Sequence, residues 1–207
     1  MESRRRLRLE RDGVELRGGN FLDALDAWWQ AERVVRDSSG LPFRGGWVVY
    51  LGYELAASIE AGLHLPPLAP ADICAAAIRV GGAASYDHQQ QRCYLVAEPE
   101  AGGAMREFAR ALDGLEAAAP AVPVAPFAPG SMSEQDPEEF RRAVLQAQAY
   151  IGQGDIYQAN LSRHWCVRLP AGADAGLLYE RLRQANAAPF AALANIAGLT
   201  LLCSSPE

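Results

Sequence analysis

No charged residue occurs between Gln184 and Pro206. A run that long is either a membrane-spanning helix, which needs about 20 predominantly apolar residues, or a pair of buried strands. Pro189, Asn195, Gly198 and Thr200 interrupt it, and Asn186 and Gly198 fall where short elements would be punctuated. Those breakers predict two buried strands and no spanning helix. The second, Leu199 to Cys203, runs into Ser204-Ser205-Pro206-Glu207 with no polar tail after it. An apolar strand needs a cover, so the sequence predicts the front part of a larger protein, truncated on the rim of its own core.

Charge narrows the partners. The formal net charge is -6, which disfavours nucleic acid and anionic membrane surfaces. The one basic cluster, Arg4-Arg5-Arg6 with Arg8, reads as the solvent face of a strand. Cys74, Cys93, Cys166 and Cys203 are scattered and form no CxxC, and the N-terminus is charged where a signal peptide would be apolar. A reduced, cytoplasmic protein fits this pattern.

Along the chain, alternation around Asp12-Gly13 predicts a hairpin, and Asn20 is placed to cap a helix running to about Val34. Strands are predicted at Trp47–Leu51, Ile73–Val80 and Tyr86–Val96, with Asp87-His88-Gln89 near a turn. Met105–Ala117 is patterned as an amphipathic helix. Residues 118–130 carry Pro120, Pro123, Pro126 and Pro129 among small residues, an extended and semi-rigid linker. It divides residues 1–117, an N-terminal subdomain, from residues 131–207. After it, Ser133 is expected to start a helix whose inner stripe is Phe140, Val144, Ala147 and Ile151. Gly152 and Gly154 end that helix. A long strand is expected over Asp155–Leu169, with Gln158 and Asn160 on one face, and Asp174 should cap one more helix. Strands interspersed with helices in this order predict an α+β architecture.

The common catalytic signatures are absent: no GxGxxG, Walker A, HExxH or GxSxG. His64, His88 and His164 are isolated, so no ordinary metal or nucleophile constellation is expected within these residues.

Three stretches are distinctive. They are Pro42-Phe-Arg-Gly-Gly-Trp-Val-Val-Tyr-Leu-Gly-Tyr-Glu54 followed by Glu60; Tyr150-Ile-Gly-Gln-Gly-Asp-Ile-Tyr-Gln-Ala-Asn-Leu-Ser162; and Leu182-Arg-Gln-Ala-Asn-Ala-Ala-Pro-Phe190 leading to Ser204-Ser-Pro-Glu207. In order and spacing they resemble the chorismate-utilising enzymes, the large subunits (component I) of aminodeoxychorismate synthase and anthranilate synthase. The resemblance covers Phe21 to Glu207 and implies an N-terminal fragment of such a subunit. Its fold would be large mixed or antiparallel sheets flanked by helices, with residues 131–207 the incomplete start of the chorismate-binding catalytic domain. Ala188-Pro189-Phe190 looks more like aminodeoxychorismate synthase, as does Gly52-Tyr53-Glu54-Leu55.

That subgroup replaces the 4-hydroxyl of chorismate with an amino group on the way to 4-aminobenzoate and folate. The resemblance implies ammonia from a glutamine amidotransferase partner, and Mg2+ whose ligands are expected beyond residue 207. Glu207 matches the glutamate of the family's Ser-Pro-Glu motif, the acid/base group at the substrate. Hydroxide leaves poorly, so its departure needs a proton donor within hydrogen-bond reach. A glutamate after proline at a chain end is otherwise a solvated loop residue. Pro189, Phe190 and Ala191 match one wall of the family's tryptophan pocket, where some members bind L-tryptophan; read without the motif, Phe190 is a core residue. Gln158 and Asn160 are either substrate contacts or a hydrogen-bonded pair within a sheet. Two further functions stay open: anthranilate synthase component I, and a non-catalytic module that senses tryptophan or binds a partner. The chain alone is expected to be catalytically inert.

Overall fold

The computed structural model describes residues 7–11, 14–15, 20–33, 40–41, 43, 45–66, 73–114, 130–196 and 198–206. The expected linker lies mostly outside them, as do Arg4, Arg5, Arg6 and Glu207. The chain divides into two compact units. The first comprises residues 1–121 and 194–201, the second residues 122–193 and 202–207.

The first unit is organised by a four-stranded sheet. Strands β1 (Leu7–Arg11) and β2 (Val14–Glu15) form the expected hairpin, with Glu10 opposite Glu15 and Arg11 opposite Val14. Helix α1 (Phe21–Ala31) follows, and the Asn20 side chain accepts from the Leu22 N–H at 3.0 Å. This satisfies one of the donors that the start of a helix leaves without a partner. β3 (Gly46–Leu51) leads through a 3-10 turn (Tyr53–Leu55) into the short helix α2 (Ala56–Ile59) and then β4 (Ala75–Val80). The strand order is β2-β1-β4-β3. β1 runs parallel to β4, and β3 antiparallel to it. The sheet is therefore mixed.

β4 shows why this sheet is stable. Successive side chains of a strand leave by opposite faces. Ala75 and Ala77 join Phe21, Trp28, Leu55 and Cys74 in one buried cluster. Ala76 joins Ile73 and Ile196 in another, flanked by Tyr50, Ile78, Leu199 and Leu201. Both faces of β4 are covered, and its alanines let the covering elements approach closely. Phe21 is 1% exposed, and burying a side chain of that size contributes about 1.5–3 kcal/mol.

One ionic cluster fastens α1 to the sheet. Arg79 of β4 donates from Nε to Glu32 at 2.6 Å and from Nη2 to both carboxylate oxygens of Glu98 at 2.7 Å. Its guanidinium stacks over Trp47, 4.7 Å from the ring centre. Trp28 meets Trp47 edge-on at 5.6 Å and donates from Nε1 to Glu32 at 2.7 Å. Burial opposes the charge on Arg79, but the hydrogen bonds to Glu98 and Glu32 outweigh it and raise its pKa.

One expected strand of this unit is two: Tyr86–Val96 lies in a hairpin in which β5 (Gly82–Asp87) pairs with β6 (Arg92–Ala97). The Asp87 side chain accepts from the N–H groups of Gln89 and Gln90 at 2.8 and 2.9 Å, and Gln91 takes a left-handed φ of 53°. Asp87 thus folds the chain back at the turn expected near Asp87-His88-Gln89, inside the stretch read as one strand. Helix α3 (Gly102–Asp113) packs on this hairpin.

The second unit contains β7 (Met132–Glu134), α4 (Pro137–Gln153), β8 (Trp165–Val167), α5 (Ala175–Ala185), and the outer ends of β9 (Phe190–Ile196) and β10 (Leu199–Ser205). Ser133 does not start a helix. It lies in β7 opposite Cys166 of β8, and Asp136 is the cap, accepting from the Glu138 N–H at 3.0 Å. Pro137 occupies the first helical position, where its missing N–H costs nothing. Gly154 ends α4 in the left-handed conformation at φ 83°.

The long strand expected over Asp155–Leu169 is also corrected, since only Trp165–Val167 is extended and paired. Among the described residues no strand is paired with residues 155–163. A strand without a ladder partner leaves its backbone groups to water and loses its reason to extend. The uncharged terminal run does form two paired strands, β9 and β10. No helix among the described residues is long and apolar enough to cross a membrane.

Candidate functional site

The open end of the β9–β10 hairpin gathers what the sequence presented as separate motifs. α5 begins at Asp174, whose carboxylate accepts from the Gly176 and Leu177 N–H groups at 2.7 and 3.1 Å. It ends at Asn186, whose N–H returns to the Leu182 carbonyl at 2.8 Å. A tight turn follows, closed by Ala191 N–H to Ala188 O at 3.2 Å, with Pro189 and Phe190 at its centre. Proline suits the first central position of such a turn because its φ is already set. Phe190 opens β9. On the other strand, Ser204 and Ser205 close β10, and Ser204 Oγ donates to the Asn186 carbonyl at 2.7 Å.

The three residues expected to wall a tryptophan pocket therefore sit on one turn. Phe190 is 61% exposed and Ala191 half-buried. Phe190 is not a core residue here. Beside the turn, an open groove of about 600 Å³ is lined by Leu178, Arg181, Leu182, Gln184 and Ala185 of α5. Glu207 lies outside the described residues, and the path to it runs from Ser204 through Ser205 and Pro206. Gln158 and Asn160 are exposed, on a segment that is not part of any sheet.

The Gly-Gly motif has a structural task. Gly45 and Gly46 have φ of 107° and 139°, and a Cβ on Gly45 would collide with the Glu98 carboxylate. Only glycine lets that loop pass the carboxylate that grips Arg79. Among the described residues, no three His, Cys, Asp or Glu side chains come together to hold a metal ion. The described residues by themselves offer no magnesium site.

Sequence reasoning missed two features. Arg79 carried no motif, and its partners are 47 and 19 residues away. Ser204 was read only as the approach to Glu207. A serine at a strand end carries no local signal that it will meet a helix end 18 residues earlier.

A family profile described as "chorismate binding enzyme" matches residues 12–207. The chain belongs to the chorismate-binding enzyme family. Among curated family members, it is 32% identical to the 2-amino-4-deoxychorismate synthase of Streptomyces globisporus, over 98% of this chain and 43% of that protein. It is 31% identical to anthranilate synthase component 1 1 of Haloarcula marismortui, over 94% of this chain and 42% of the relative. With aminodeoxychorismate synthase component 1 of Klebsiella aerogenes it shares 32% identity, over 81% of this chain and 35% of the relative. The crystal structure of anthranilate synthase component I from Streptococcus pneumoniae TIGR4 superposes with a TM-score of 0.67 at 19% identity, covering 88% of this chain and 43% of that one. The expected fold is the observed one. The chain spans about two-fifths of the length of the curated relatives it matches.

Proposed function

We propose that this chain forms part of an aminodeoxychorismate synthase component I. In that reaction the C4–O bond of chorismate breaks, a C4–N bond forms with ammonia, and the hydroxyl leaves as water. A glutamine amidotransferase partner supplies the ammonia. The carrying observation is the open end of the last hairpin: the Ser204 hydroxyl meets the Asn186 carbonyl there, two residues before the Ala188-Pro189-Phe190 turn, in a chain whose family profile spans residues 12–207.

In this reading Glu207 donates the proton that turns the departing hydroxyl into water. An apolar surround would raise its pKa enough to keep it protonated near neutral pH. Pro189, Phe190 and Ala191 contact the indole of a bound tryptophan. The reaction takes place in the cytoplasm, where a chain with scattered, unpaired cysteines is at home. Mg2+ is part of the family's reaction as proposed for the whole protein, with ligands from outside these residues.

A second reading has its own observation. The Haloarcula relative, 31% identical, is named an anthranilate synthase. Product analysis separates the two. The chain, with chorismate, ammonium and magnesium, is assayed alone and then with the part of the Klebsiella relative outside its matched stretch as a second polypeptide. No turnover alone, and 4-amino-4-deoxychorismate from the pair, supports the proposal. Anthranilate from the pair moves the chain to the second reading, and turnover by the chain alone overturns its being one part of the site. Glu207→Gln should lower the pair's kcat by about 10²–10⁴, the usual scale for removing a general acid.

A further inference from the structure

We infer that the face of the β7–β8 sheet formed by Met132, Trp165 and Val167 is a docking surface. Its occupant is a β-strand from a polypeptide equivalent to the part of the curated relatives that this chain does not span. The inference rests on the reading above, that the chain is one part of a component I, and names the surface on which the other part seats.

Strands β7 and β8 have three residues each, and among the described residues they pair only with each other. A two-stranded sheet is marginal in water without a third strand or a packed helix. Residues opposite each other in an antiparallel pair share a face. Met132 is opposite Val167 and Glu134 opposite Trp165, so the three apolar side chains lie together, while Ser133 and Cys166 take the other face. Met132 is 64% exposed, Trp165 53% and Val167 41%. Arg163 lays its guanidinium over Trp165, 5.0 Å from the ring centre, and pairs with Glu134. The face therefore has an apolar centre and an ion pair at its edge. Interfaces between proteins share that anatomy, with tryptophan and methionine enriched at the centre and a polar rim.

The segment leading into β8 identifies the occupant as a strand. Tyr157, Ala159 and Leu161 alternate with Gln158, Asn160 and Ser162. The apolar set has the same parity as Trp165 and Val167, so an extended backbone would continue their face. Tyr157 is 92% exposed and Leu161 42%, and residues 155–163 are paired with no strand among the described residues. A period-two pattern without a ladder is a strand that lacks its neighbour. The source of that neighbour follows from the family: 98% of this chain matches only 43% of the Streptomyces relative. A second copy seated on the Met132–Trp165–Val167 face fits less well. Those side chains offer on the order of 300 Å², at 150–250 Å² for a whole aromatic side chain, against the roughly 800 Å² per partner of a stable dimer.

The test mixes the 207-residue chain with the second polypeptide of the product assay, the part of the Klebsiella relative outside its matched stretch, in the absence of chorismate. Calorimetry measures the association, and amide NMR locates it. Binding should shift the amides of residues 132–134 and 165–167 and slow solvent exchange at residues 156–163 at least about tenfold, as a new ladder requires. Trp165→Ser should weaken binding about 30-fold, the scale of an anchoring tryptophan, and Met132→Ser about fivefold. Ile59→Ser, in the first unit and also 64% exposed, should leave it within about twofold of the wild type. Circular dichroism of the free variants identical to the wild type shows that the fold is kept. No association, association indifferent to both Trp165→Ser and Met132→Ser, or unchanged exchange at residues 156–163 overturns the inference. So does a dimer of the chain alone, seen by sedimentation, that Trp165→Ser dissolves. Binding that depends on Trp165 in a pair that makes anthranilate keeps the docking surface and removes the amination reading. A pair that makes 4-amino-4-deoxychorismate equally well with Trp165→Ser does the reverse.

Discussion

The two units are built from similar sequence and reach different burial. In the first, α1 and the hairpin tip at residues 194–201 cover opposite faces of one sheet, and Phe21, Cys74 and Ala75 are essentially excluded from water. In the second, no described residue is buried. Helix α4 has the stripe a buried helix needs, yet Phe140, Val144 and Ala147 are only half-buried and Ile151 is 45% exposed. Met132, Trp165 and Val167 on β7 and β8 are exposed as well. Periodicity sets which face of an element is apolar. Burial requires a second surface, and only the first unit supplies one from its own described residues.

The contrast breaks most readily at its strongest point. Phe21→Ala should cost about 3–5 kcal/mol of unfolding free energy, the usual range for a phenylalanine removed from a packed core. Phe140→Ala on α4 should cost less, about 1–2 kcal/mol, because that side chain keeps part of its surface in water. Urea unfolding of both variants measures the difference. Equal losses would show that the second unit has a core after all.

Arg79 offers a smaller effect. Arg79→Met leaves Glu32 and Glu98 facing each other across the stacked Trp47. It should cost about 2 kcal/mol, between a surface pair at under ~1 and a fully buried one at ~3–5. Lysine should recover less than half of the loss, since one ammonium cannot serve two carboxylates and a ring face as a planar guanidinium does. Thermal unfolding of the two variants, followed by tryptophan fluorescence at Trp28 and Trp47, reports it.

The smallest effect compares two helix caps. Asn20→Ala and Asp136→Ala each remove an acceptor for one backbone N–H and should each cost about 1 kcal/mol locally. α1 is part of a packed core, so the Asn20 variant should lower the midpoint of the main unfolding transition. α4 is not, so the Asp136 variant should reduce helical circular dichroism before that transition and leave its midpoint in place. Identical midpoint shifts would mean that the two units unfold as one.

What was readable in advance follows the range of the interaction. Asn20, Asp174 and Gly154 act on their immediate neighbours, and each does what its position predicts. The β1–β2 hairpin and the two uncharged final strands were equally legible, since a two-residue link leaves few other pairings. Errors arose where a local competitor was underweighted. Pro137 moved a helix start from Ser133 to Asp136, and one strand was read across a turn that Asp87 had already signalled. Residues 189–191, singled out by their motif, share one turn, and Phe190, a core residue on its composition alone, is exposed there.

Caps and periodicity alone specified the identity of most elements and the apolar face of each, and three motifs carried the resemblance to the family to which the chain belongs. All of these depend on residues within a few positions of one another. The parallel pairing of β1 with β4, the grip of Arg79 on Glu32 and Glu98, and the Ser204–Asn186 hydrogen bond were decided only in the folded chain. Each joins segments well separated along the backbone, and the chain must pay loop-closure entropy before any of those contacts can form. No local pattern records which distant partner repays that cost.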